Sequence, residues 1–489
     1  MRLPRSWTRA LFVIGTAAVL ALLWSNRTNE YPLIQPDAYE NLTAAYNLVH
    51  HGVISIDDAP GQTAPEASEY REPVPILVLA AYISALPSLE EPSLDQLVDI
   101  HAETLKRSNM LWGVVLSVIV FVTVARYTGS YALAAFGTVA ADLGLAEHYN
   151  GLYSEVAAAA LLAATCAAAA TAVRRRHIGW MFATGLLAGV VALTKAAFLY
   201  AAVGLILCLA AVGAWRRLRA REDFALRAAG IAALGLALAI APWMVRNYLH
   251  FDRLTLSSRG GQVLLTRALK NGMSAEEYRG AWFAYAPRPL RWITGRLTGF
   301  DKRDLQAGGR LVRLVRYADL RDRSAPTTGD VDGAVSYFAK AKAMRTALEL
   351  RHPEADVLAI DDMLKRRAFE LIRADPGAHL ATTPLFLWRG APYVFLVLLA
   401  GIGYAAVRRR WWLFAYAAPA MALVVFYALL THFIPRYGDP LQPVACVVFA
   451  VLAHALWRAA LARYRGRAPR PQGRTTGALA EPRMTEVSR

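Results

Sequence analysis

Apolar residues in this chain fall in long unbroken runs rather than in alternation, and polar residues collect in the gaps between them. Ten runs stand out, near 9–25, 108–126, 131–149, 154–173, 178–194, 196–215, 226–246, 390–407, 411–431 and 440–458. A helix of about 20 apolar residues is long enough to cross the hydrocarbon core of a bilayer. Inside lipid every backbone donor and acceptor needs an internal partner, so spans are either helices or closed barrels. Runs rich in Ala and Leu with no period of two are helices. The pattern therefore predicts an all-α polytopic membrane protein of about ten transmembrane helices, with outer-face loops and interfacial helices.

Charge fixes the direction of threading. Of 489 residues, 54 are Lys or Arg against 37 Asp or Glu. The basic residues sit beside the apolar runs: Arg2, Arg5 and Arg9 at the start, then 174–176, 216–221, 408–410 and 458–470. Clusters of this kind belong to cytoplasmic loops, which argues against a nucleic-acid surface. The run Pro73 to Ser88 tests the scheme, because as a span it would invert everything after it. It is short and carries Pro73, Pro75 and Pro87, so it is expected to lie at the outer interface. Both termini then face the cytoplasm. The first run follows a basic start with no A-x-A site after it, which predicts an uncleaved helix. Cys166, Cys208 and Cys446 all fall inside spans and read as small buried residues, not as a disulfide framework.

This threading divides the chain into an N-terminal transmembrane module over 1–247 that includes a first outer segment (26–107), a long outer loop or subdomain over 248–388, C-terminal helices over 389–463, and a disordered tail over 464–489. Residues 26–72 hold eight acids against two arginines. Ala334 to Arg373 has helical periodicity, and Pro376 precedes the return to the membrane. The sequons at Asn26 and Asn41 lie in the first outer loop, a match that arises often by chance.

Candidate chemistry gathers on the outer side. Asp37 and Glu40, with Tyr39 between them, are spaced to share one helix face. A carboxylate there suits a general base, and a solvated acidic loop would read the same way. Arg71 and Glu72 precede a proline-interrupted apolar helix, where they serve as phosphate or metal contacts or as an interfacial anchor. His148 and Glu155 flank the outer turn after the third run, and Glu155 also suits a helix N-terminus. Lys195 lies in a very short outer connection, where a phosphate contact and a snorkelling lysine look alike. Arg246, Asn247, Arg259, Arg436 and Tyr437 complete the set. Arginines on the outer side run against the usual charge bias, and their forked donors suit phosphate.

In this order, the acidic first loop, Tyr70-Arg71-Glu72-Pro73, Tyr153-Ser154-Glu155, Leu193-Thr194-Lys195, Pro242-Trp243 with Arg246-Asn247, and Arg436 to Pro443 resemble the C-type (GT-C) glycosyltransferase superfamily. Within it the chain is most similar to the protein O-mannosyltransferases and the aminoarabinose transferases that modify lipid A. The resemblance implies an inverting hexosyl or pentosyl transfer from a polyprenyl-phosphate sugar donor to a glycan, lipid or protein acceptor at the extracytoplasmic face of the plasma membrane. It makes Asp37 the general base, seconded by Glu40. It puts Arg71, Lys195, Arg246, Arg259 and Arg436 on the donor phosphate. Tyr39, Glu72, His148, Glu155, Asn247 and Tyr437 would line the pocket. Some relatives use a divalent metal, for which Glu72, His148 and Glu155 are the candidates here, although no spacing marks a metal site. The acids are spaced 37 and 40 rather than adjacent as in many relatives. The alternative is a transporter or flippase of a lipid-linked intermediate, which would show polar groups near mid-bilayer and interrupted helices in two halves. A scaffold, the third reading, leaves the outer arginines unexplained.

Overall fold

The computed structural model describes residues 5–28, 36–57, 65–257 and 260–467, and every regular element among them is helical. Among the described residues seven helices are long and apolar enough to cross a membrane: Thr8–Arg27, Ala102–Thr128, Glu155–Arg175, Ala197–Ala220, Phe224–Phe251, Trp411–Leu430 and Pro435–Tyr464. Three of the ten sequence runs form shorter apolar helices, Tyr131–Gly144, Ile178–Ala192 and Pro392–Val407. The outward faces of these helices are apolar. Ile14, Val118, Val122, Leu207, Leu238 and Leu396 are all exposed, as expected of surfaces solvated by lipid tails.

The Ala-rich Glu155–Arg175 helix runs through the middle, with fifteen residues buried from Glu155 to Ala172. Small side chains let its neighbours close in, and Leu116, Val120, Tyr416, Leu423 and Val448 complete one continuous core. Close approach recurs between Ile178–Ala192 and Phe224–Phe251, where a Cβ on Gly185 would run into the Ala232 carbonyl. Such small-residue contacts are how helices pack when no water drives them together.

The bundle has two unlike ends. At the basic end Arg176 pairs with Glu222, which also accepts from Arg216 at 3.2 Å. Arg174 lies over Tyr127, whose ring stacks on Trp412, and Arg9 lies over Tyr131. The Arg clusters of separate turns thus meet at one end, in agreement with the alternation read from the runs. At the opposite end the buried Asp142 accepts from Trp24 (3.2 Å), Ser117 (2.9 Å) and Tyr149 (2.6 Å). The helices of 14 and 15 residues rise only roughly 21–23 Å, short of the core thickness of about 30 Å. Their turns, 145–154 and 193–196, therefore end in a recess at this end.

Around that recess sits a layer of short elements. Pro73–Ser84 has 12 residues, too few to span, and buries Ile76, Leu79 and Ile83 against Leu42 and Ala45 of Pro36–His51. Phe224–Phe251 continues past residue 247, so the boundary expected there falls inside a helix. The segment 334–373 is helical as its periodicity predicts, in two helices, Tyr337–Arg351 and Val357–Ala374. His352-Pro353 breaks it, and Asp356 caps the second helix through Ala359 N at 2.7 Å. The return to the bundle is a helix of its own, Pro376–Gly390, bent by 104° from Pro392–Val407. The last helix reaches Arg467, past the boundary expected at 463; the rest of the expected tail, 468–489, lies outside the described residues. Cys166 is buried as expected, but Cys446 is half-buried and Cys208 is exposed on the bundle surface. Asn41 is buried and donates to the Leu152 carbonyl at 3.2 Å, so its sequon is not displayed.

Candidate active site

Five distant segments meet in the recess through charged side chains. Pro36–His51 begins with Asp37 and Glu40 one turn apart, and the geometry aims both at Arg71. The Arg71 guanidinium donates to Glu40 Oε2 at 2.6 Å and to Asp37 Oδ1 at 3.0 Å. The other Asp37 oxygen accepts from Arg436 Nη1 at 2.8 Å. Arg436 in turn donates through Nε to Glu155 Oε1 at 2.6 Å, and Lys195 Nζ donates to the same oxygen at 2.9 Å. Asp37, Arg436, Glu155 and Lys195 therefore form one chain of ion pairs. The ring of Tyr153 lies 4.0 Å under the Arg436 guanidinium and fixes its plane; burial raises the Tyr153 pKa and keeps the phenol neutral.

Local sequence explains each placement. Prolines at 36 and 73 start helices at positions where a missing N–H costs nothing, which sets Asp37 and Glu72 at helix starts. Glu72 Oε1 accepts from Ala196 N at 3.1 Å, and Val74 N donates to the Leu193 carbonyl at 3.1 Å. These two bonds dock the Pro73 helix against the turn that carries Lys195. Arg436 follows Pro435 in the tight turn before Gln442–Arg467.

Exposure separates the three acids. The Glu155 side chain is 0% exposed, that of Glu40 29% and that of Asp37 42%. Asp37 is the acid a solvent-side hydroxyl can reach. Glu155 is a buried anchor, and its Oε2 has no hydrogen-bond partner among the described residues. Among the described residues three carboxylates face three cations, and such pairing is what lets buried charges be tolerated.

The remaining expected residues are placed differently. His148 Nε2 meets Asp439 Oδ2 at 2.8 Å, next to but outside the ion-pair chain. Tyr39 lies half-buried in the same turn as Asp37. Tyr437 stacks on Tyr427 at 5.5 Å between centroids. Arg246 is not brought into the network: it donates to the Ser68 carbonyl at 2.9 Å and to Asn247 Oδ1 at 2.9 Å, with its guanidinium over Trp243 and Phe251. Asn247, fully buried, donates to the Thr255 carbonyl at 2.8 Å. Together they pin the outer segment to the Phe224 helix. Arg259 lies outside the described residues.

A divalent metal does not fit the described donors. Glu72, His148 and Glu155 each hold a separate partner, and among the described residues no three His, Cys, Asp or Glu side chains gather as ligands. Two cations already flank Glu155, and a metal ion beside them would be repelled. Sequence reasoning missed Asp439 and Tyr153 as site residues. Both lie within a few residues of ones it did single out, but neither carries a spacing signal, since the partner of each, His148 for Asp439 and Arg436 for Tyr153, lies hundreds of residues away.

Fold and site together describe a polytopic helical membrane protein with a charged recess at the end opposite its arginine clusters. No family model and no curated protein matches the chain. A solved structure, the crystal structure of ArnT from Cupriavidus metallidurans bound to undecaprenyl phosphate, matches over 94% of this chain and 81% of that one, at 14% identity and a TM-score of 0.39. Likeness of that depth leaves function to be argued from the site itself.

Proposed function

We propose that the protein is a membrane glycosyltransferase of the GT-C type, moving a hexosyl or pentosyl unit from a polyprenyl-phosphate-linked donor to an acceptor hydroxyl or amine. The observation that carries this reading is the ion-pair chain through Asp37, Arg436, Glu155 and Lys195, which joins residues far apart in sequence in one recess. The arginine clusters at the other end mark the cytoplasmic side, so the recess faces outward, in the plasma membrane.

The chemistry follows from charge balance. The acceptor oxygen or nitrogen attacks the anomeric carbon while the bond from that carbon to the phosphate oxygen breaks, and the phosphate leaves with the electron pair. Asp37 takes the acceptor's proton. A single base on the face opposite the leaving group gives inversion, whereas retention needs a second nucleophilic carboxylate. Proton uptake cancels the Asp37 charge, and the two guanidiniums paired with it, Arg71 and Arg436, lose part of their counter-charge at that moment. Negative charge is then growing on the departing phosphate, which is where such donors stabilise a transition state most. Glu155 stays ionised and holds Arg436 and Lys195 in place.

Asp37→Asn tests the assignment directly. In a deletion strain, mass spectrometry of envelope glycans and polyprenyl-phosphate sugars should show a missing glycan and an accumulated carrier-linked sugar. Wild-type protein should reverse both changes. Asp37→Asn should reverse neither, although it inserts in the membrane to the same level. A variant that restores the glycan fully would sink the reading.

A further inference from the structure

Two concentrations of positive charge lie outside the recess, one buried and one exposed. The buried one flanks a cavity of about 1080 Å³ against the turn 435–439, whose wall includes Arg316 and Arg389. Lys270 is 2% exposed and lies 5.2 Å from the Tyr285 ring centroid. Arg389 packs on the same ring at 4.5 Å and donates to the carbonyl of the buried His432. These groups are held inside the fold, on ring faces and carbonyls.

The exposed concentration is the stretch 288–323 of the outer segment. It holds ten Lys or Arg against four Asp, whereas 324–388 holds eight Lys or Arg against nine Asp or Glu. All four acids are occupied in shaping the backbone. Asp301 Oδ1 accepts from Arg303 N at 2.7 Å, and Asp304 Oδ2 from Asp301 N at 2.8 Å. Asp319 Oδ1 accepts from Asp322 N and Asp322 Oδ1 from Val335 N, both at 2.8 Å. Two cations are partly neutralised, Arg310 by Asp304 and Glu276 and Arg313 by Glu277. Lys302, Arg303, Arg316, Arg321 and Arg323 are exposed, and among the described residues no carboxylate pairs with them.

These cations stand on one continuous folded strip. Leu311 N donates to the Asp304 carbonyl at 2.8 Å and closes the loop that carries Lys302 and Arg303. Arg313 and Tyr337 share Glu277, and Asp322 accepts from Ser336 N at 3.0 Å, which fastens Leu320–Thr328 to the start of Tyr337–Arg351. Phe300, Leu311 and Leu314 turn inward to pack with Phe283 and Tyr337. A segment lying in the headgroup layer presents an apolar face to lipid. Here Trp292 and Leu297 are exposed, but from 299 to 323 Leu320 is the single exposed large apolar side chain among the described residues. The strip is therefore built for water, at the end opposite the arginine clusters that set topology.

We propose that this strip docks an acidic polysaccharide of the cell envelope, a chain with an anionic group on each repeat. Guanidiniums meet such groups through charge-assisted forked hydrogen bonds, and a polyanion gains further by releasing its condensed counterions. The proposal rests on the outward orientation of this end and not on Asp37 acting as a base. A carboxylate and a phosphodiester are the two forms the anionic group can take.

Fluorescence anisotropy of labelled polymers with the purified full-length protein in detergent tests it, using polygalacturonate, poly(glycerol phosphate) and dextran. A polyanion should bind at least about tenfold more tightly than neutral dextran at low salt, and the preference should fall as salt passes about 0.1 M. Whichever polyanion binds more tightly names the anionic group. The triple variant Arg303→Gln, Arg321→Gln, Arg323→Gln should weaken binding about tenfold at an unchanged melting temperature, because these side chains are exposed and unpaired. Each single change should weaken it about twofold, which keeps the test decisive if the triple variant folds poorly. Arg409→Gln with Arg410→Gln, at the opposite end, should change nothing. Equal binding of dextran, or loss of binding in the Arg409 and Arg410 variant instead of the strip variants, would overturn the proposal. So would polymer binding that is present in detergent but absent in phosphatidylcholine nanodiscs, since the bilayer would then cover the strip. Asp37→Asn protein should bind the polymers as wild type does, so the transferase reading can fail without touching this result.

Discussion

Glu155 shows how differently two acids of one network should respond to change. It is fully buried between Lys195 and Arg436, and removing its charge leaves Lys195 without a carboxylate and Arg436 with Asp37 alone. Glu155→Gln should lower stability by about 3–5 kcal/mol, read as a large drop in melting temperature in detergent. Asp37 is partly exposed, so Asp37→Asn should cost about 1 kcal/mol or less. Equal losses would mean that the burial difference does not govern the network. Near the cavity, His432 is held neutral: burial first, then Arg389, Lys270 and Arg316, push its pKa well below the ordinary 6.5. The unfolded chain binds a proton near that pH and the folded chain does not, so stability is lost as pH falls below about 6.5. His432→Asn should flatten the fall in melting temperature between about pH 7 and pH 5; an unchanged slope would contradict this. At this scale the sequence was partly legible. Asp37, Glu155, Lys195 and Arg436 stood out as charges beside apolar runs. Lys270 and Arg389 did not, because a cation in an outer segment looks solvated until the fold covers it, and neither did His432, in the short turn after Trp411–Leu430.

Among elements, the apolar runs were legible as helices, since a long apolar run has few alternatives in lipid, although their ends differ by several residues and three of the ten form shorter helices. The Pro73 helix was read as interfacial from its length and prolines, and it has 12 residues, too few to span. What escaped was how helices end and turn. The Phe224 helix overruns its apolar stretch, and the Pro376 helix returns through a 104° bend at Ala391, neither of which leaves a hydropathy signal. Contact between Ile178–Ala192 and Phe224–Phe251 depends on Gly185 meeting the Ala232 backbone and Gly235 meeting that of Phe182. Gly185→Val should force these helices apart at a cost of about 1–3 kcal/mol. Because Lys195 follows the first helix, transfer activity should fall with it. A variant as stable as wild type would show that the interface yields more easily than its backbone contacts imply.

For the whole molecule, the two ends differ in charge arrangement, and that difference sets which face does chemistry. Arg408–Arg410 lie at one end and Arg288 at the other. In intact spheroplasts a membrane-impermeant maleimide should label Arg288→Cys, whereas Arg409→Cys should react only after lysis. The reverse pattern would place the recess in the cytoplasm and end the proposal of an outer-face donor. The gathering of arginines at one end was legible from their placement along the chain alone. The convergence of charges within the recess was not, because no pattern along a chain reports that residues separated by hundreds of positions touch.

That separation has a consequence for biogenesis. Arg436 lies 399 residues after the aspartate it binds. While the chain emerges from the ribosome and threads into the bilayer, Glu155 and Lys195 can find each other early, but Asp37 must wait until the penultimate span has been inserted and its turn exported. Nascent chains cut short before that turn should therefore be integrated yet inert, with a half-assembled pocket exposed to proteolysis.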